Sequence, residues 1–236
     1  MGSGKVDDWF GRLPVCFACE LCGAPAGGSG ICIACRDDLP WIGAACRLCA
    51  RPLPVAGDCG RCLRRPPPWS RAIAPLAWTF PVDALVSGFK YRGALHFGAL
   101  LGRLLAEACR ERGPDAIVPV PLHRRRMAER GFNQARELAL PIARSSGIPL
   151  LDSACERCIS TPPQAGLSAR ERRGRLRNAF SASGAVRGLE VAIVDDVLTT
   201  GSTASALTRE LLRAGASKVE VWAVARGGTA QAGTKV

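Results

Sequence analysis

The segment from Val191 to Thr203, VAIVDDVLTTGST, constrains the fold more than any other part of the chain. Its four consecutive apolar residues, Val191 to Val194, are typical of a strand in the interior of a sheet that is covered on both faces. Two aspartates and a turn rich in Thr, Gly and Ser follow, and Ser202 to Ala214 has the pattern of a helix that Gly215 ends. A buried strand that leads through a polar turn into a helix favours a parallel sheet.

Strand and helix patterns alternate over the rest of the chain after residue 66. Strands are predicted at 72–80, 115–121 and 218–225, and helices at 83–112 and at 125–145, the latter interrupted at Gly131 and Pro141. Residues 161–180 are polar and arginine-rich without apolar periodicity, which indicates a long exposed loop. We therefore predict an α/β fold for residues 67–236, with a mostly parallel sheet flanked by helices.

The polar residues after Val194 indicate a ligand site. Asp195 and Asp196 fall at the carboxyl end of the strand, where open α/β sheets bind ligands, and two adjacent carboxylates can accept hydrogen bonds from vicinal sugar hydroxyls. The next residues offer backbone N–H groups, hydroxyls and a helix start that suit a phosphate: Thr199, Thr200, Gly201, Ser202 and Thr203. A plain helix cap at Asp196 or Ser202 would explain one polar residue of this set. We interpret the segment as a site for a phosphorylated ribose.

Eight of the twelve cysteines form two copies of one pattern, C-x2-C, nine residues, C-x2-C, offset by 27 residues. The copies are Cys19, Cys22, Cys32 and Cys35, then Cys46, Cys49, Cys59 and Cys62, and Pro25 recurs as Pro52. Zinc favours four tetrahedral thiolates, so residues 1–66 are predicted to be a double zinc ribbon with two structural sites. Disulfides or another metal cluster are the alternatives, and the ligands could be paired in series or cross-braced.

The remaining cysteines are assigned no metal. Cys16 lies one C-x2-C step before Cys19 but falls outside the repeat, and Cys155 and Cys158 form a pair without a partner pair nearby. Cys109 is predicted to be a buried apolar residue. Because the chain shows no secretory signal pattern, its thiols fit a reducing cytoplasm, and no segment predicts membrane insertion.

The charge is strongly positive, at a formal +12, and 28 of the 32 basic residues are arginines. Between Pro121 and Arg187, thirteen arginines stand against five acids, which marks this stretch as a candidate anion-binding surface. A GC-rich genome, in which basic residues are encoded mostly as arginine, would explain the overall composition equally well.

Several motifs together resemble a known family. VAIVDDVLTTGST resembles the signature of type I phosphoribosyltransferases, which bind phosphoribosyl diphosphate with magnesium. FKYRG at 89–93, VPVPLHRRRMAERGFNQARELA at 118–139 and TPPQAGLSARERRGRLRNAF at 161–180 resemble the ComF family, as does the double zinc ribbon. The resemblance implies a phosphoribosyltransferase-like fold and a role in natural transformation, where ComF-like proteins handle incoming single-stranded DNA on the cytoplasmic side.

The resemblance also implies roles for individual residues. Asp195 and Asp196 would meet the ribose hydroxyls, residues 199–203 would hold the 5-phosphate, and the loop of Pro121, Leu122 and Arg124, or the neighbouring Arg125, would hold the diphosphate with magnesium. The basic loop 161–180 would close over the site, with Gln164, Arg170 and Arg173 as candidates and the two arginines as the catalytic ones. Glycosyl transfer would pass through an oxocarbenium-like ribosyl cation, with the enzyme stabilising the leaving diphosphate.

The acceptor is not readable from the sequence. In RGFNQ, residues 130–134, Phe132 could stack on a base and Asn133 or Gln134 could hydrogen-bond its edge, while a helix entry with Phe132 in the core is an equal alternative. Three hypotheses follow: an enzyme that transfers phosphoribosyl groups, a non-catalytic module that binds single-stranded DNA, and an adaptor that docks a competence helicase through the ribbons.

Overall fold

The computed structural model of the protein describes residues 18–159 and 179–228. The chain divides into two compact units, one that ends at Leu39 and one that starts at Pro40. This boundary lies between the two cysteine repeats, inside the segment 1–66 that the sequence predicts as one module. The division of the chain at 66/67 stays a prediction.

Each cysteine repeat folds in the same way. In the first unit, Ala18 forms an isolated β-bridge with Pro25, and a short helix α1 (Ile33–Asp37) begins directly after Cys32 and contains Cys35. In the second unit the corresponding bridge joins Ala45 to Pro52, and the corresponding helix is α2 (Gly60–Arg64). Bridges and helices are all offset by 27 residues, so the structure supports the duplication that the cysteine spacing indicates.

The rest of the second unit alternates strands and helices. The strands are β1 (Arg71–Ile73), β2 (Leu76–Ala77), β3 (Ala116–Pro119), β4 (Cys155–Arg157), β5 (Phe180–Ala182), β6 (Glu190–Leu198) and β7 (Lys218–Arg226). The helices are α3 (Val82–Arg92), α4 (Leu95–Ala108), α5 (Arg124–Arg130), α6 (Gln134–Ser146) and α7 (Ser202–Arg213). Short 3-10 turns lie at Gly27–Ser29 and Gly184–Val186.

The main sheet is parallel, in the order β1-β7-β6-β3, and β2 also pairs with β7 in parallel. The strands β4 and β5 form a separate antiparallel pair. This arrangement confirms the predicted α/β class. Because crossover connections place helices on the faces of a parallel sheet, the central strands β6 and β7 are covered on both sides.

Strand β6 is longer than the apolar run predicts, and this sets the position of the acid pair. It pairs with β3 only as far as Pro119 opposite Val194, whereas it pairs with β7 as far as Leu198 opposite Arg226. Asp195 and Asp196 therefore lie within β6 but beyond the end of β3. Their side chains reach the space next to the loop that follows β3.

The core packs as the apolar pattern predicts. Val191 to Val194 are fully buried in β6, and the α4 leucines Leu100, Leu101, Leu104 and Leu105 are buried against the sheet and α6. Each such leucine contributes roughly 1.5–3 kcal/mol through removal of its side chain from water. Helices α4 and α6 approach closely because position 102 is glycine: a Cβ there would lie 2.8 Å from Cγ of Pro141.

Three element boundaries differ from the predictions. The strand predicted at 72–80 divides into β1 and β2 at Ala74–Pro75, since proline cannot donate to the ladder. The helix predicted at 83–112 divides into α3 and α4 at Gly93, whose φ of 66° ends the first helix. The predicted interruption at Gly131 is confirmed, whereas the one at Pro141 is wrong, because α6 continues through Pro141 to Ser146.

Candidate functional site

A cavity of about 770 Å³ opens at the carboxyl ends of β3 and β6. Its walls come from the end of α3, the loop after β3, helix α5, the start of α6, strand β4 and the turn after β6. Seven charged side chains are among its lining residues: Lys90, Arg126, Glu129, Arg130, Arg157, Asp195 and Asp196. Four cations face three carboxylates, so the cavity suits a ligand that carries more negative than positive charge.

The acid pair on β6 is partly buried and interacts with a lysine. Oδ2 of Asp196 lies 2.8 Å from Nζ of Lys90 in α3, and both side chains are mostly buried. Burial and the neighbouring charge of Asp196 raise the pKa of Asp195 to about 7, although Lys90 and Arg157 oppose the shift. One carboxyl of the pair thus changes its protonation state close to neutral pH, where a hydroxyl or a cation could exchange for the proton.

The turn after β6 leaves the start of α7 open. Gly201 occupies the N-cap position with φ 75°, and it has no side chain to satisfy the first N–H groups of the helix. Oγ of Ser202 lies 2.9 Å from Oγ1 of Thr200, so two hydroxyls lie together at this helix start. A side-chain cap at Asp196 or Ser202 is therefore not the role of this segment. Backbone donors and hydroxyls remain for an anion.

The loop after β3 also lines the cavity. Pro121 and Leu122 line the cavity as predicted, but Arg124 is exposed at the first position of α5 and does not line it. Instead Arg126 and Arg130, four residues apart and hence on one face of the helix, line it. His123 caps α5, since its Nδ1 accepts a hydrogen bond from the N–H of Arg125 at 3.2 Å.

Arg125 does not line the cavity either. Its Nε lies 3.1 Å from Oε1 of Glu129 in an exposed pair one helical turn away. The cations that the sequence analysis missed are Lys90, Arg126, Arg130 and Arg157. The FKYRG and RRRMAER motifs contain the first three, but the phase of each helix decides which basic residue faces the cavity.

Within RGFNQ, residues 130–134, some side chains stabilise the fold and one polar side chain remains available to a ligand. Asn133 caps α6 through its Oδ1 and donates from Nδ2 to the carbonyl of Val120 at 3.2 Å. Phe132 packs on Phe89 with ring centroids 5.4 Å apart. Gln134 is 3% exposed and lines the cavity, and among the described residues its Nε2 meets no hydrogen-bond partner. Gln134 is therefore the better candidate for contact with an acceptor.

Several predicted positions lie outside the described residues. They are Cys16, Gln164, Arg170 and Arg173, together with most of the predicted 161–180 loop. The strands that flank this segment, β4 and β5, pair with each other, and β4 contributes Arg157 to the cavity.

The eight repeat cysteines form two clusters in series, Cys19, Cys22, Cys32 and Cys35 in one and Cys46, Cys49, Cys59 and Cys62 in the other. Within each cluster all four sulfurs lie within 4.8 Å of one another. The Sγ atoms of Cys22 and Cys32 are 3.7 Å apart, and those of Cys49 and Cys59 are 3.8 Å apart. Four sulfurs at 2.3 Å from a tetrahedral zinc are about 3.8 Å apart, so both clusters fit zinc.

Cys155 and Cys158 are not part of a four-residue metal-binding group within the described ranges. Burial raises the pKa of the Cys155 thiol to about 12, whereas Cys158 is exposed. Cys109 is 3% exposed, in agreement with its prediction as a buried apolar residue.

A second concave surface, of about 350 Å³, lies on the other side of the turn after β6. We call it the arginine groove. Arg61 and Arg65 of the second cysteine repeat, Arg209 of α7 and Arg226 of β7 line it, together with Thr199 to Ser202 of the turn. No acid is among its lining residues, and Thr199 also lines the larger cavity.

Comparison with known proteins places the chain in a family. No protein-family model matches it. The DNA utilization protein YhgH of Salmonella typhi is 40% identical over 225 residues, which cover 88% of this chain and 96% of that protein. Competence protein F of Haemophilus influenzae is 34% identical over 208 residues, or 84% and 91% of the two chains.

The chain belongs to the ComF family. Competence protein ComFC of Streptococcus pneumoniae is 29% identical over 140 residues, 59% of this chain and 61% of that one. Among solved structures, the Bacillus subtilis glutamine phosphoribosylpyrophosphate amidotransferase complexed with ADP and GMP aligns with 52% of this chain and 25% of its own, at 26% identity and a TM-score of 0.37, a similarity too weak to bear on function.

The structure of this ComF protein confirms the predicted fold class, a mostly parallel sheet with helices, preceded by two four-cysteine clusters. Within the described residues of this ComF protein, no helix combines the length and apolar character that crossing a bilayer requires.

Proposed function

We propose that the protein binds phosphoribosyl diphosphate together with magnesium in the 770 Å³ cavity. One observation carries the proposal. Asp195 and Asp196 line this cavity together with Thr199 and Thr203 of the turn and of α7, and with the loop after β3, Arg126 and Arg130. A ligand that carries a diol and phosphate groups matches this set of side chains.

The role of each group follows from its chemistry. Carboxylates of Asp195 and Asp196 accept hydrogen bonds from the ribose hydroxyls, and the turn 199–203 donates to the 5-phosphate. Arg126 and Arg130 neutralise the diphosphate, to which the predicted Arg124 adds charge from outside the cavity. Magnesium supplies charge neutralisation of the diphosphate when it is bound.

Group transfer is a further step of the proposal, with Arg170 and Arg173 as the predicted catalytic residues. The bond between the anomeric carbon and the diphosphate oxygen breaks, the diphosphate leaves with the electron pair, and the acceptor forms the new bond. Cations around the leaving diphosphate favour this step because they stabilise its developing charge. Gln134, with its free donor in the cavity, is the proposed contact to the acceptor.

Calorimetry with phosphoribosyl diphosphate and magnesium tests the binding. We expect Arg126→Ala to weaken binding at least tenfold. Arg124→Ala, two residues earlier in α5 but outside the cavity, should change the affinity less than about threefold. Equal effects of the two variants, or no binding by the wild type, would contradict the site. Diphosphate release with candidate acceptors separates transfer from binding.

Single-stranded DNA is the second candidate ligand, and the arginine groove is the observation that favours it. None of Arg61, Arg65 and Arg209 has a salt-bridge partner among the residues described. The relatives' names, DNA utilization protein and competence protein, agree with such a ligand. Three unpaired arginines beside an open groove form a surface for a phosphate backbone.

The groove can be tested on a single helix. Arg209 faces the groove, whereas Arg213, one turn later, is paired with Glu210. We expect Arg209→Ala to weaken binding of an oligonucleotide and to flatten its salt dependence, and Arg213→Ala to have a smaller effect. A salt-independent affinity would eliminate this ligand.

The predicted helicase partner and the cytoplasmic location belong to the same proposal. Two zinc-fitting clusters of free thiols suit a reducing compartment. Binding of a competence helicase by a fragment of residues 1–66, compared with the full chain, tests the docking role of the cysteine repeats.

A further inference from the structure

The second cysteine repeat is bonded to the sheet through three consecutive carbonyl groups. The carbonyl of Arg47 accepts from the N–H of Ala72 at 2.8 Å. The carbonyl of Leu48 accepts from Nε1 of Trp69 at 2.6 Å, and that of Cys49 accepts from Nε of Arg226 at 2.7 Å. These carbonyls belong to the knuckle that carries Cys46 and Cys49, which we call the second knuckle.

The side chains of Trp69 and Arg226 also contact the turn after β6. Nη1 of Arg226 donates to the carbonyls of Leu198 and Thr199, each at 2.7 Å. The ring of Trp69 lies against Gly201, since a Cβ at that position would be 2.8 Å from the Cη2 atom of the ring. Both side chains are buried, so each joins the second knuckle to the turn through the interior of the unit.

The charge of Arg226 is a second reason for its contact with the second knuckle. Arg226 is a buried cation whose bonds are made to backbone carbonyls, and no salt bridge to a carboxylate is found for it among the residues described. A buried charge without a counter-charge is destabilising. Four thiolates around Zn²⁺ carry a net charge of about −2, and the carbonyl of a ligand cysteine is in direct contact with this guanidinium.

We propose that the second four-cysteine site, with its zinc, positions the phosphate-binding turn through Trp69 and Arg226. The inference rests on the proposed function of that turn. The knuckle is short, and Ala50, which follows Cys49, has φ 53°, a left-handed conformation that costs free energy for a residue with a Cβ. Metal ligation holds this turn, and its loss withdraws the carbonyls that orient both side chains.

The first four-cysteine site belongs to the other compact unit, which supplies a matched control. The experiment compares Cys59→Ser/Cys62→Ser with Cys32→Ser/Cys35→Ser, the same pair of substitutions 27 residues apart. Zinc content, calorimetry with ribose 5-phosphate and hydrogen exchange of the amides at 199–203 are measured on the full chain. We expect each variant to lose one zinc. The second-site variant should bind ribose 5-phosphate at least tenfold more weakly and exchange the turn amides at least tenfold faster.

The first-site variant should stay within about twofold of wild type in both measurements. The inference is overturned if the second-site variant loses its zinc with unchanged affinity and exchange, or if both variants change equally. Trp69→Phe removes the Nε1 donor and, because the phenyl ring is smaller, the Cη2 contact with Gly201, and it should give an intermediate increase in exchange with full zinc content. An unchanged rate in this folded variant also counts against the inference.

Hydrogen exchange separates this inference from the proposed function. If the wild type binds no ribose 5-phosphate, the phosphate site fails, while faster exchange of the turn on loss of the second zinc still demonstrates the coupling. If the wild type binds ribose 5-phosphate and the second-site variant shows unchanged exchange, the phosphate site is valid but does not depend on the metal.

Discussion

Nζ of Lys90 lies 2.8 Å from Oδ2 of Asp196, so a cation of helix α3 neutralises part of the acid pair on β6. Lys90 also lowers the pKa of the adjacent Asp195, against burial and the charge of Asp196, which together raise it to about 7. The lysine thus favours the ionised form of the Asp195 carboxyl. Because the ligand is proposed to contact the Asp195 carboxyl, the pH dependence of ligand binding should report on the protonation state of Asp195.

Binding of phosphoribosyl diphosphate with magnesium should strengthen as the pH rises through about 7. Asp195 is protonated below that pH, and a proton competes with the ligand's hydroxyls and cation for the carboxylate. We expect affinity at pH 6 to be several-fold lower than at pH 8, measured by calorimetry. In Lys90→Met the midpoint should move upward by about one pH unit, whereas Lys90→Arg should leave it nearly unchanged. Coincident profiles for all three proteins would contradict this account.

Removal of the Asp195 charge should stabilise the unliganded fold at high pH. Its folded-state pKa is raised above the unfolded value, so the folded protein binds the proton more tightly and loses stability as the pH rises from about 4 to about 7. Asp195→Asn should therefore unfold at a higher temperature than wild type at pH 8. At pH 5 the difference should shrink, and thermal unfolding at both pH values provides the test.

Gly201→Ala should destabilise the protein more than Gly188→Ala. Both glycines have positive φ, 75° and 77°, but a Cβ at 201 would meet the Trp69 ring at 2.8 Å and one at 188 would meet nothing within 4 Å. The conformational term is about 1 kcal/mol for each, and overpacking adds about 1–3 kcal/mol at 201. Urea unfolding measures both free energies, and similar values would show that the ring moves aside at little cost.

Glu220→Gln should destabilise the second unit. Glu220 in β7 is 4% exposed, and it accepts hydrogen bonds from Arg112 and, at 3.2 Å, from Nε1 of Trp222. Burial raises its pKa, but the bonds from Arg112 and Trp222 outweigh burial, and the pKa is lowered overall. The substitution leaves Arg112 without its counter-charge, which costs roughly 2 kcal/mol for a partly exposed arginine.

The effect of Glu220 depends on pH in the opposite sense to that of Asp195. A carboxyl with a lowered folded-state pKa contributes stability above its unfolded pKa, and that stability is lost as the pH falls through the folded value. The difference in unfolding free energy between wild type and Glu220→Gln should therefore be full at pH 7 and shrink in acid. A constant difference would assign the effect to packing.

The purified protein should contain two zinc ions per chain, released by a thiol-modifying reagent and counted with a metallochromic dye. Cys155→Ser/Cys158→Ser should retain both, because these residues lie in neither four-cysteine cluster. Removal of zinc should lower the unfolding temperature, since metal binding contributes to the folding free energy of such small segments. Loss of zinc from the Cys155/Cys158 variant would add this pair to the ligands.

The sequence predicted the features that depend on local patterns. The buried run before Asp195, the leucine face around Leu104 and the cysteine repeat each have a periodicity that one structure satisfies. Gly131 was predicted as a break and is one, because a left-handed residue ends α5. The sequence predicts a break at Pro141, but α6 continues through it. The Pro141 ring packs where Gly102 leaves space, and this tertiary contact cannot be predicted from the local sequence.

The site was predicted in part for the same reason. Asp195, Asp196 and the turn were found because their chemistry is contiguous in sequence. The motif predicts Arg124, but Arg126 lines the cavity, because the start of α5 at the His123 cap determines which residues of the helix face the site. Lys90 and Arg157 come from distant elements, and the sheet order decides that they meet the acid pair.

Thr199 lines both the large cavity and the arginine groove. The turn proposed to hold the 5-phosphate also lines the groove from Thr199 to Ser202, so ligands in the two spaces would contact the same residues. A phosphorylated ribose and the end of a nucleic acid strand that both reach Thr199 would compete, and each would weaken the other by the same factor. The cellular concentration of one ligand would then set the occupancy of the other.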